Sequence, residues 1–410
     1  MVPLGSHAEP VVSDTLPASA DAVVIGAGVV GAATAAALAA TGRRVLVVDR
    51  SGPLGGTTAA GEGNILVSDK LPGPELTLAL RSVALWREFA AEVAGIARGD
   101  EGDFGFEVKG GVVAAQDETQ LANLLDLAER QRAAGVEVTA LDPAGLRDAE
   151  PRIAPGLAGG AFYPQDSQVQ PMQAALAFLG RARRAGAQVA GRADVLALDR
   201  GPGGAVAGLV TSRGRVAAPV VVNAAGPWSG EVADRLGASV PVRPRRGRIL
   251  VTEPVPPTVI RHKVYEANYV GAVVSDSAAL QCSAVVEGTA SGTVLIGSSR
   301  DVAGFSMAPD PAALAEMARR AVGLFPFLAR VRAIRSYTGF RPAAPDHLPV
   351  IGPDAEVPGL FHATGHEGAG IGLAPATAEL VTALVSGTAP PVDPAPFTPA
   401  RFVAEVSGAY

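Results

Sequence analysis

The chain has 410 residues and one cysteine, Cys282, so this polypeptide alone can form neither an intrachain disulfide nor a four-thiolate iron–sulfur cluster. Such usage suits a cytoplasmic protein, and the cytoplasm is the expected compartment. Charged residues are scarce, at 18%, and aromatic residues scarcer, at 5%. The formal net charge is −6, and no run of Lys and Arg is interleaved with aromatics, which excludes the usual footprint of a nucleic-acid partner. Residues 22–40 form the most apolar stretch, but three glycines interrupt it and Arg43-Arg44 follow, so no membrane span is expected. Residues 1–19 are polar and proline-punctuated, without the basic start and apolar core of a signal peptide. No spacing of His, Cys and carboxylates suggests a metal site, and no G-x-S-x-G elbow suggests a hydrolase.

Apolar residues, by contrast, make up 48% of the chain, ample for two domains with buried cores. The most informative segment is V-V-I-G-A-G-V-V-G-A-A-T-A-A-A-L-A-A-T-G-R-R-V-L-V-V-D-R, residues 23–50. It reads as strand, tight turn, helix, strand and acid, a complete dinucleotide-binding unit. Gly26 permits the turn, Gly28 lets the backbone approach a pyrophosphate, and Gly31 lets the helix pack close to the strand. Val29 and Val30 open the helix, whose N–H groups and dipole face the phosphates. Asp49 ends the second strand, where a carboxylate meets ribose hydroxyls, and Arg50 follows it at the same site. The unit alone leaves NAD and FAD both open. The glycines at 158–162 and 298–304 read as ordinary turns.

Residues 51–64, S-G-P-L-G-G-T-T-A-A-G-E-G-N, form a loop of small residues directly after the acid, placed to run along a bound cofactor. Helical spacing follows at 76–94, 118–134, 141–147, 171–185, 311–323 and 375–385. Residues 104–115 read as a β-hairpin turning at Gly110-Gly111, and 136–139 as a short strand. Strands are expected at 193–197, 206–211 and 216–222, the last an apolar run into N-A-A-G-P-W and thus a second element of the nucleotide-binding sheet. Residues 240–252, 263–267, 272–274, 279–285 and 293–298 read as an antiparallel sheet outside that unit. Further strands are expected at 334–340 and 359–363. The fold class is therefore α/β: a Rossmann-like domain of three segments (19–90, 141–231, 331–390), interrupted by an α+β substrate domain (91–140, 232–330) with an antiparallel sheet.

Four ordered motifs carry a resemblance across nearly the whole chain. They are the unit ending at Asp49, G-G-T-T-A-A-G (residues 55–61), V-V-N-A-A-G-P-W (221–228), and the C-terminal pair G-F-R-P-A-A-P-D-H-L-P-V-I-G (339–352) and T-G-H-E-G-A-G-I-G-L-A-P (364–375). Together they resemble the D-amino acid oxidase superfamily of FAD-dependent amine oxidoreductases. The stretch G-E-G-N-I-L-V-S-D-K (61–70) is most similar to the β-subunit group of heteromeric D-hydroxyproline and opine dehydrogenases. The resemblance implies FAD. It implies non-covalent binding, because Arg335 and Ser336 stand near Tyr337 where covalent members carry a cysteine. It places Gly56, Thr57, Thr58, Gly61, Gly63 and Asn64, then Ala224, Ala225, Gly226 and Trp228, and finally Gly368, Ala369, Gly370, Ile371, Gly372 and Leu373 against the cofactor. Most members have glutamate where this chain has Asp49, which shortens the reach to the ribose.

Amine oxidation by a flavin demands placement more than acid–base groups, since an α-hydride passes directly from a neutral amine to the ring. Arg341, the arginine of G-F-R-P, is the expected carboxylate clamp, because a guanidinium fixes a carboxylate through two parallel hydrogen bonds. His366 and Tyr265 are the other candidate catalytic residues, with Glu367, Tyr269 and Tyr337 as neighbours of interest. His262 and His347 read as surface or loop residues, and Arg243, Arg245, Arg246 and Arg248 as a solvated or interdomain face. The expected function is removal of a hydride from Cα of a small amino or cyclic imino acid. Electrons then pass either to dioxygen, as in an oxidase, or to another acceptor, as in a dehydrogenase; the dehydrogenase reading is favoured, with partner subunits carrying an iron–sulfur centre, and without them the chain is expected to be a homo-oligomer. The alternatives are an NAD-dependent dehydrogenase and a flavin-holding electron-transfer subunit.

Overall fold

Alternation of side chains along the short apolar strands explains how the chain layers. In a computed structural model that describes residues 12–13, 15–96, 103–269 and 279–402, six strands form one sheet. Their order is Val350–Pro353, Leu360–Thr364, Val221–Asn223, Ala22–Ile25, Val45–Val48 and Gln188–Ala190. All neighbours are parallel except the first pair. Ala22 and Val24 face one core with Val45 and Val47, and Val23 and Ile25 face the other with Leu46 and Val48. Burial of both faces is what a parallel sheet requires, and it explains strands that are apolar at every position.

Three helices, Val29–Ala40, Pro171–Arg184 and Gly370–Ser386, share the first core, closed by Trp86, Phe89, Phe104 and Phe178. The opposite face carries a three-stranded sheet and the helix Ser229–Arg235. The helix expected at 375–385 begins five residues earlier, with Pro375 inside it. Proline has no N–H for the Ile371 carbonyl. Trp86 Nε1 instead donates to the Ile371 and Gly372 oxygens at 3.2 and 3.1 Å, and Ser82 Oγ donates to the Gly372 oxygen at 2.6 Å. The segment Glu367–Ser386, rather than 22–40, is long and apolar enough to span a membrane, with mean hydropathy 1.4. In this fold its apolar side chains pack against the helices Val29–Ala40 and Pro74–Ile96.

The second sheet has eight strands, in the order Ala333–Ala343, Arg243–Thr252, Val294–Arg300, Gln281–Gly288, Lys263–Glu266, Gly111–Ala115, Gly159–Tyr163 and Thr139–Leu141. It departs from the expected antiparallel sheet at one pair: Lys263–Glu266 runs parallel to Gly111–Ala115. The hairpin expected at 104–115 is absent among the described residues. Gly111 starts a strand that pairs with Gly159–Tyr163, the glycine segment expected to be only a turn. Gly160 fits there because a Cβ would fall 2.4 Å from the Val113 carbonyl oxygen. Strands 139–141, 159–163 and 333–343 all join this sheet, so the expected nucleotide-binding segments 141–231 and 331–390 each give strands to it. The expected strand 216–222 is two strands in different sheets, Gly214–Ala217 and Val221–Asn223. The expected strand at 272–274 lies outside the described residues. Helix Pro311–Leu324 covers one face of the large sheet through Met317, Ala321 and Leu324. The other face, through Gly247, Ile249, Gly339 and Arg341, looks into a cavity shared with the first sheet.

Candidate active site

One continuous cavity runs from the end of the first parallel strands to the large sheet. At its first end the turn glycines behave as their spacing demands. Gly26 has φ +104°, and a Cβ there would lie 2.4 Å from the Ala224 oxygen. A Cβ on Gly31 would lie 1.9 Å from the Gly26 oxygen, so Gly31 packs helix on strand and does not itself line the cavity. Gly28, Val29 and Val30 do line it. One N–H of the helix start is already engaged, since Val29 N donates to Thr58 Oγ1 at 2.9 Å. Asp49 is also less free than expected. Its Oδ2 accepts from Ala27 N at 2.9 Å, and its Oδ1 accepts from Ser51 N and Gly52 N, each at 2.9 Å. The shorter acid thus braces the turn and the loop as well as lining the cavity beside Arg50.

The loop after Asp49 contributes Gly56, Thr57, Thr58, Gly61, Gly63 and Asn64 to the wall. Thr57 Oγ1 donates to the Phe340 oxygen at 2.5 Å, tying the loop to the strand that carries Arg341. Gly63 has φ +102°, and a Cβ there would lie 1.9 Å from the Val169 oxygen. Ala224, Ala225, Gly226 and Trp228 complete this end. The Trp228 ring stacks on Phe305 at 5.1 Å, and the Arg50 guanidinium lies 4.0 Å over it.

At the other end stands Arg341. Its Nη1 donates to the Ser299 oxygen at 2.9 Å, and among the described residues no carboxylate lies within 4.0 Å of it. The side chain is half-buried, and it lines the cavity. Burial, and then the charge of Arg300, push its guanidinium down to about 10. A desolvated cation without a counter-ion is costly unless a ligand supplies one. The guanidinium lies over Gly247 of the neighbouring strand, where a Cβ would come within 2.4 Å of Nη1. Tyr269, buried at 6%, lines the cavity, and Arg300 sits 4.7 Å over its ring.

The other candidates separate by environment. Glu367 lines the cavity but points its carboxylate at Arg245 Nη1, 2.6 Å away, and at His347 Nδ1, 3.2 Å away. Burial would raise its pKa, yet the His347 hydrogen bond and the charges of Arg300, Arg245 and Arg341 prevail and hold it at about 2. His366 lines the cavity while its Nε2 pairs with Thr377 Oγ1 at 2.9 Å, and burial lowers it to about 3, so it is neutral at ordinary pH. That arrangement suits holding the turn rather than moving protons. Tyr265 is not in the cavity: it is fully buried, with its hydroxyl 2.5 Å from Ser68 Oγ, because strand alternation turns it into the core. Gly368, Gly370 and Ile371 line the cavity, whereas Ala369, Gly372 and Leu373 do not. A Cβ on Gly372 would lie 3.2 Å from the Asn64 oxygen, so that glycine serves helix–loop packing. Tyr337 is outside the cavity wall.

The arginines near the start of strand Arg243–Thr252 are not a solvated face. Arg246 binds both Asp301 oxygens at 2.8 and 2.9 Å, Arg248 reaches Asp301 at 3.1 Å, and Arg245 holds Glu367; only Arg243 is exposed. Sequence reasoning passed over Glu62, Gly247 and Gly339, all in the wall. Glu62 had a legible signal, as the only charged residue in a loop of small ones from Gly55 to Asn64. The two strand glycines had none. Among the described residues no group of His, Cys, Asp and Glu is placed to hold a metal ion.

Residues 21–384 match the family described as DAO, FAD dependent oxidoreductase. Hydrogen cyanide synthase subunit HcnC of Pseudomonas aeruginosa is 30% identical over 430 residues, covering 94% of this chain and 97% of its own. A glycine oxidase of Geobacillus kaustophilus is also 30% identical, over 393 residues, with 94% and 98% covered. The crystal structure of glycine oxidase from Geobacillus kaustophilus superposes with a TM-score of 0.83 at 29% identity, covering 93% of this chain and 98% of that one. The fold is also shared with L-proline dehydrogenase from P. horikoshii, at TM-score 0.85 and 23% identity, over 95% and 99% of the two chains.

Proposed function

Because the chain belongs to the DAO family of FAD-dependent oxidoreductases, we propose that it oxidises the Cα–N bond of a small amino or cyclic imino acid to an imine and passes the electrons to an acceptor other than dioxygen. FAD is the cofactor, which sets aside the NAD-dependent reading, and non-covalent binding is the reading the thiol content supports. The residues present fit it. Gly26 and Gly28 leave a side-chain-free approach for a pyrophosphate, and Cys282, the only thiol, lies off the cavity on strand Gln281–Gly288. When bound, FAD supplies a two-electron acceptor for the substrate hydride.

This chain's residues do the rest. Arg341 receives the substrate carboxylate through two N–H groups and so sets the position of Cα. Gly247 leaves space for that guanidinium, and Ser299 orients it through the 2.9 Å hydrogen bond. Tyr269 and Ile249 wall the cavity on the large-sheet side, and Ile371 on the helix side, excluding water. The single observation that carries the reading is the half-buried Arg341 guanidinium, lining the cavity and without a carboxylate partner among the described residues. It also weighs against a flavin-holding subunit that binds no substrate.

Transfer to an acceptor other than dioxygen is supported by the G-E-G-N-I-L-V-S-D-K stretch, similar to β-subunits, and by the likeness to HcnC, which is by its name a subunit. On this reading partner subunits carry the iron–sulfur centre for which one cysteine is insufficient. The test is anaerobic mixing of the yellow protein with D-amino acids, N-methyl amino acids and cyclic imino acids, followed by reoxidation with air or with a dye. Bleaching by one class and faster reoxidation by the dye is the expected result. A flavin that no amine bleaches overturns the reading.

A further inference from the structure

Another charged side chain near Arg341 lines the cavity and has no role in the reading above. Glu62 follows Gly61 in the loop, and its side chain is 8% exposed. Its Oε2 accepts from Asn64 Nδ2 at 3.0 Å and stands 3.6 Å from Lys263 Nζ. Its Oε1 is buried and has no hydrogen-bond partner among the described residues. A structural ion pair does not account for this. Lys263 makes its shorter contact with Glu287 Oε2, at 2.6 Å, and also donates to Asn64 Oδ1, so Glu62 is the weaker claimant on a shared ammonium. A buried carboxylate oxygen left without a donor is costly, and the cost is recovered when a donor arrives.

The seating of Glu62 mirrors that of Arg341. A Cβ on Gly297 would fall 1.9 Å from Glu62 Oε1, and one on Gly247 would fall 2.4 Å from Arg341 Nη1. The two glycines belong to paired neighbouring strands, Val294–Arg300 and Arg243–Thr252. Adjacent strands thus each forgo a side chain so that one charge can lie against them. Glu62 and Arg341 stand within each other's field yet form no ion pair within 4.0 Å. Of the two carboxylates that act on Arg341, Glu367 is held by Arg245 and His347, so Glu62, with its open oxygen, and Arg341 together match the amine and carboxylate of a small zwitterion.

We propose that Glu62 is the amine-recognition residue of this site: its carboxylate accepts hydrogen bonds from the α-amino group of a substrate whose carboxylate Arg341 holds, and so selects amino and imino acids over carboxylates that lack an N–H there. The inference rests on the proposed function, and its test separates the two. The FAD-loaded protein is titrated with two near-isosteric pairs, proline against tetrahydrofuran-2-carboxylate and glycine against propionate. Binding is read from the change in flavin absorbance and from the thermal shift. A site that hydrogen-bonds an N–H rejects its ether or methyl analogue, so the amine-bearing member should bind at least about tenfold more tightly. In Glu62→Gln that preference should shrink about tenfold or more, while the amine-free carboxylate binds as before or better, having lost a nearby anion. Arg341→Met should weaken both members of each pair.

An unchanged ratio in Glu62→Gln, or equal affinity for both members in the unsubstituted protein, overturns this inference and leaves the carboxylate clamp standing. If no carboxylate perturbs the unsubstituted protein, the proposed function fails and this inference with it. Should Glu62→Gln not retain FAD, Glu62→Asp takes its place. It keeps the charge near Lys263 but withdraws it from the cavity, and the amine preference should again fall, with FAD retention checked by the visible spectrum.

Discussion

Arg341→Met separates a functional arginine from a structural one, because the two roles predict opposite changes in stability. Methionine keeps much of the length of the chain and removes the charge. Two charge-assisted hydrogen bonds to a substrate carboxylate contribute roughly 3–4 kcal/mol together, so kcat/KM should fall about 10²–10³-fold. In the substrate-free protein no carboxylate among the described residues lies within 4.0 Å of the guanidinium, and burial with the Arg300 charge has pushed it down to about 10. Deleting the charge therefore relieves a penalty on the order of 1–3 kcal/mol. Against this, the Ser299 carbonyl loses its 2.9 Å donor, a cost of about 1 kcal/mol. The variant should consequently be as stable as the parent or somewhat more so, while turnover at low substrate collapses. The assay pairs anaerobic flavin reduction over a range of substrate concentrations with thermal melting of the FAD-loaded protein. A melting temperature several degrees lower with kcat/KM intact would refute the reasoning and make Arg341 a structural residue.

Three further outcomes are expected. Gly247→Ala places a Cβ within 2.4 Å of Arg341 Nη1; KM should rise about tenfold or more with FAD retention unchanged, and a wild-type KM would show that the guanidinium is not held there. Tyr265→Phe removes the hydroxyl 2.5 Å from Ser68 Oγ in the core, so stability should fall by about 1 kcal/mol while kcat stays unchanged; a large loss of kcat would return Tyr265 to the catalytic list. Asp166 is fully buried, and burial pushes its carboxyl up to about 7 despite hydrogen bonds from Ser68 and Val67. The unfolded chain releases this proton near pH ~4, so between about pH 4 and 7 the folded form holds a proton that the unfolded form has lost. Stability from this group then falls as pH rises through that window, by up to ~1.4 kcal/mol per pH unit. In Asp166→Asn denaturation at pH 5 and pH 7 should show that decline removed, and parallel curves for the two proteins would count against it.

Much of the nucleotide-binding half was legible along the chain because its signals are local. Gly26, Gly28 and Gly31 answer to one turn and one helix within a few residues, and the strand Val221–Asn223 announces itself by being apolar throughout and ending in small residues. The substrate half was less legible. The hairpin reading of residues 104–115 failed because Gly111 finds its partners at Tyr163 and Lys263, far along the chain. Tyr265 and Tyr269 have the same side chain four residues apart, yet one lies in the core and the other on the cavity wall. The arginines at 245, 246 and 248 looked like a solvated face until Asp301 and Glu367 came to meet them.

The sequence by itself determined the dinucleotide-binding unit, because turn geometry is set locally, and the resemblance carried by its ordered motifs singled out Arg341 among the arginines. Only the tertiary structure decided which charges are satisfied and which are not. Glu367 finds Arg245 and His347, and His366 finds Thr377, whereas among the described residues Arg341 meets no carboxylate and one oxygen of Glu62 meets no donor. Those differences depend on glycines at 247 and 297 lying beneath the two side chains. Strand pairing between distant segments sets that contact, and no local spacing encodes it.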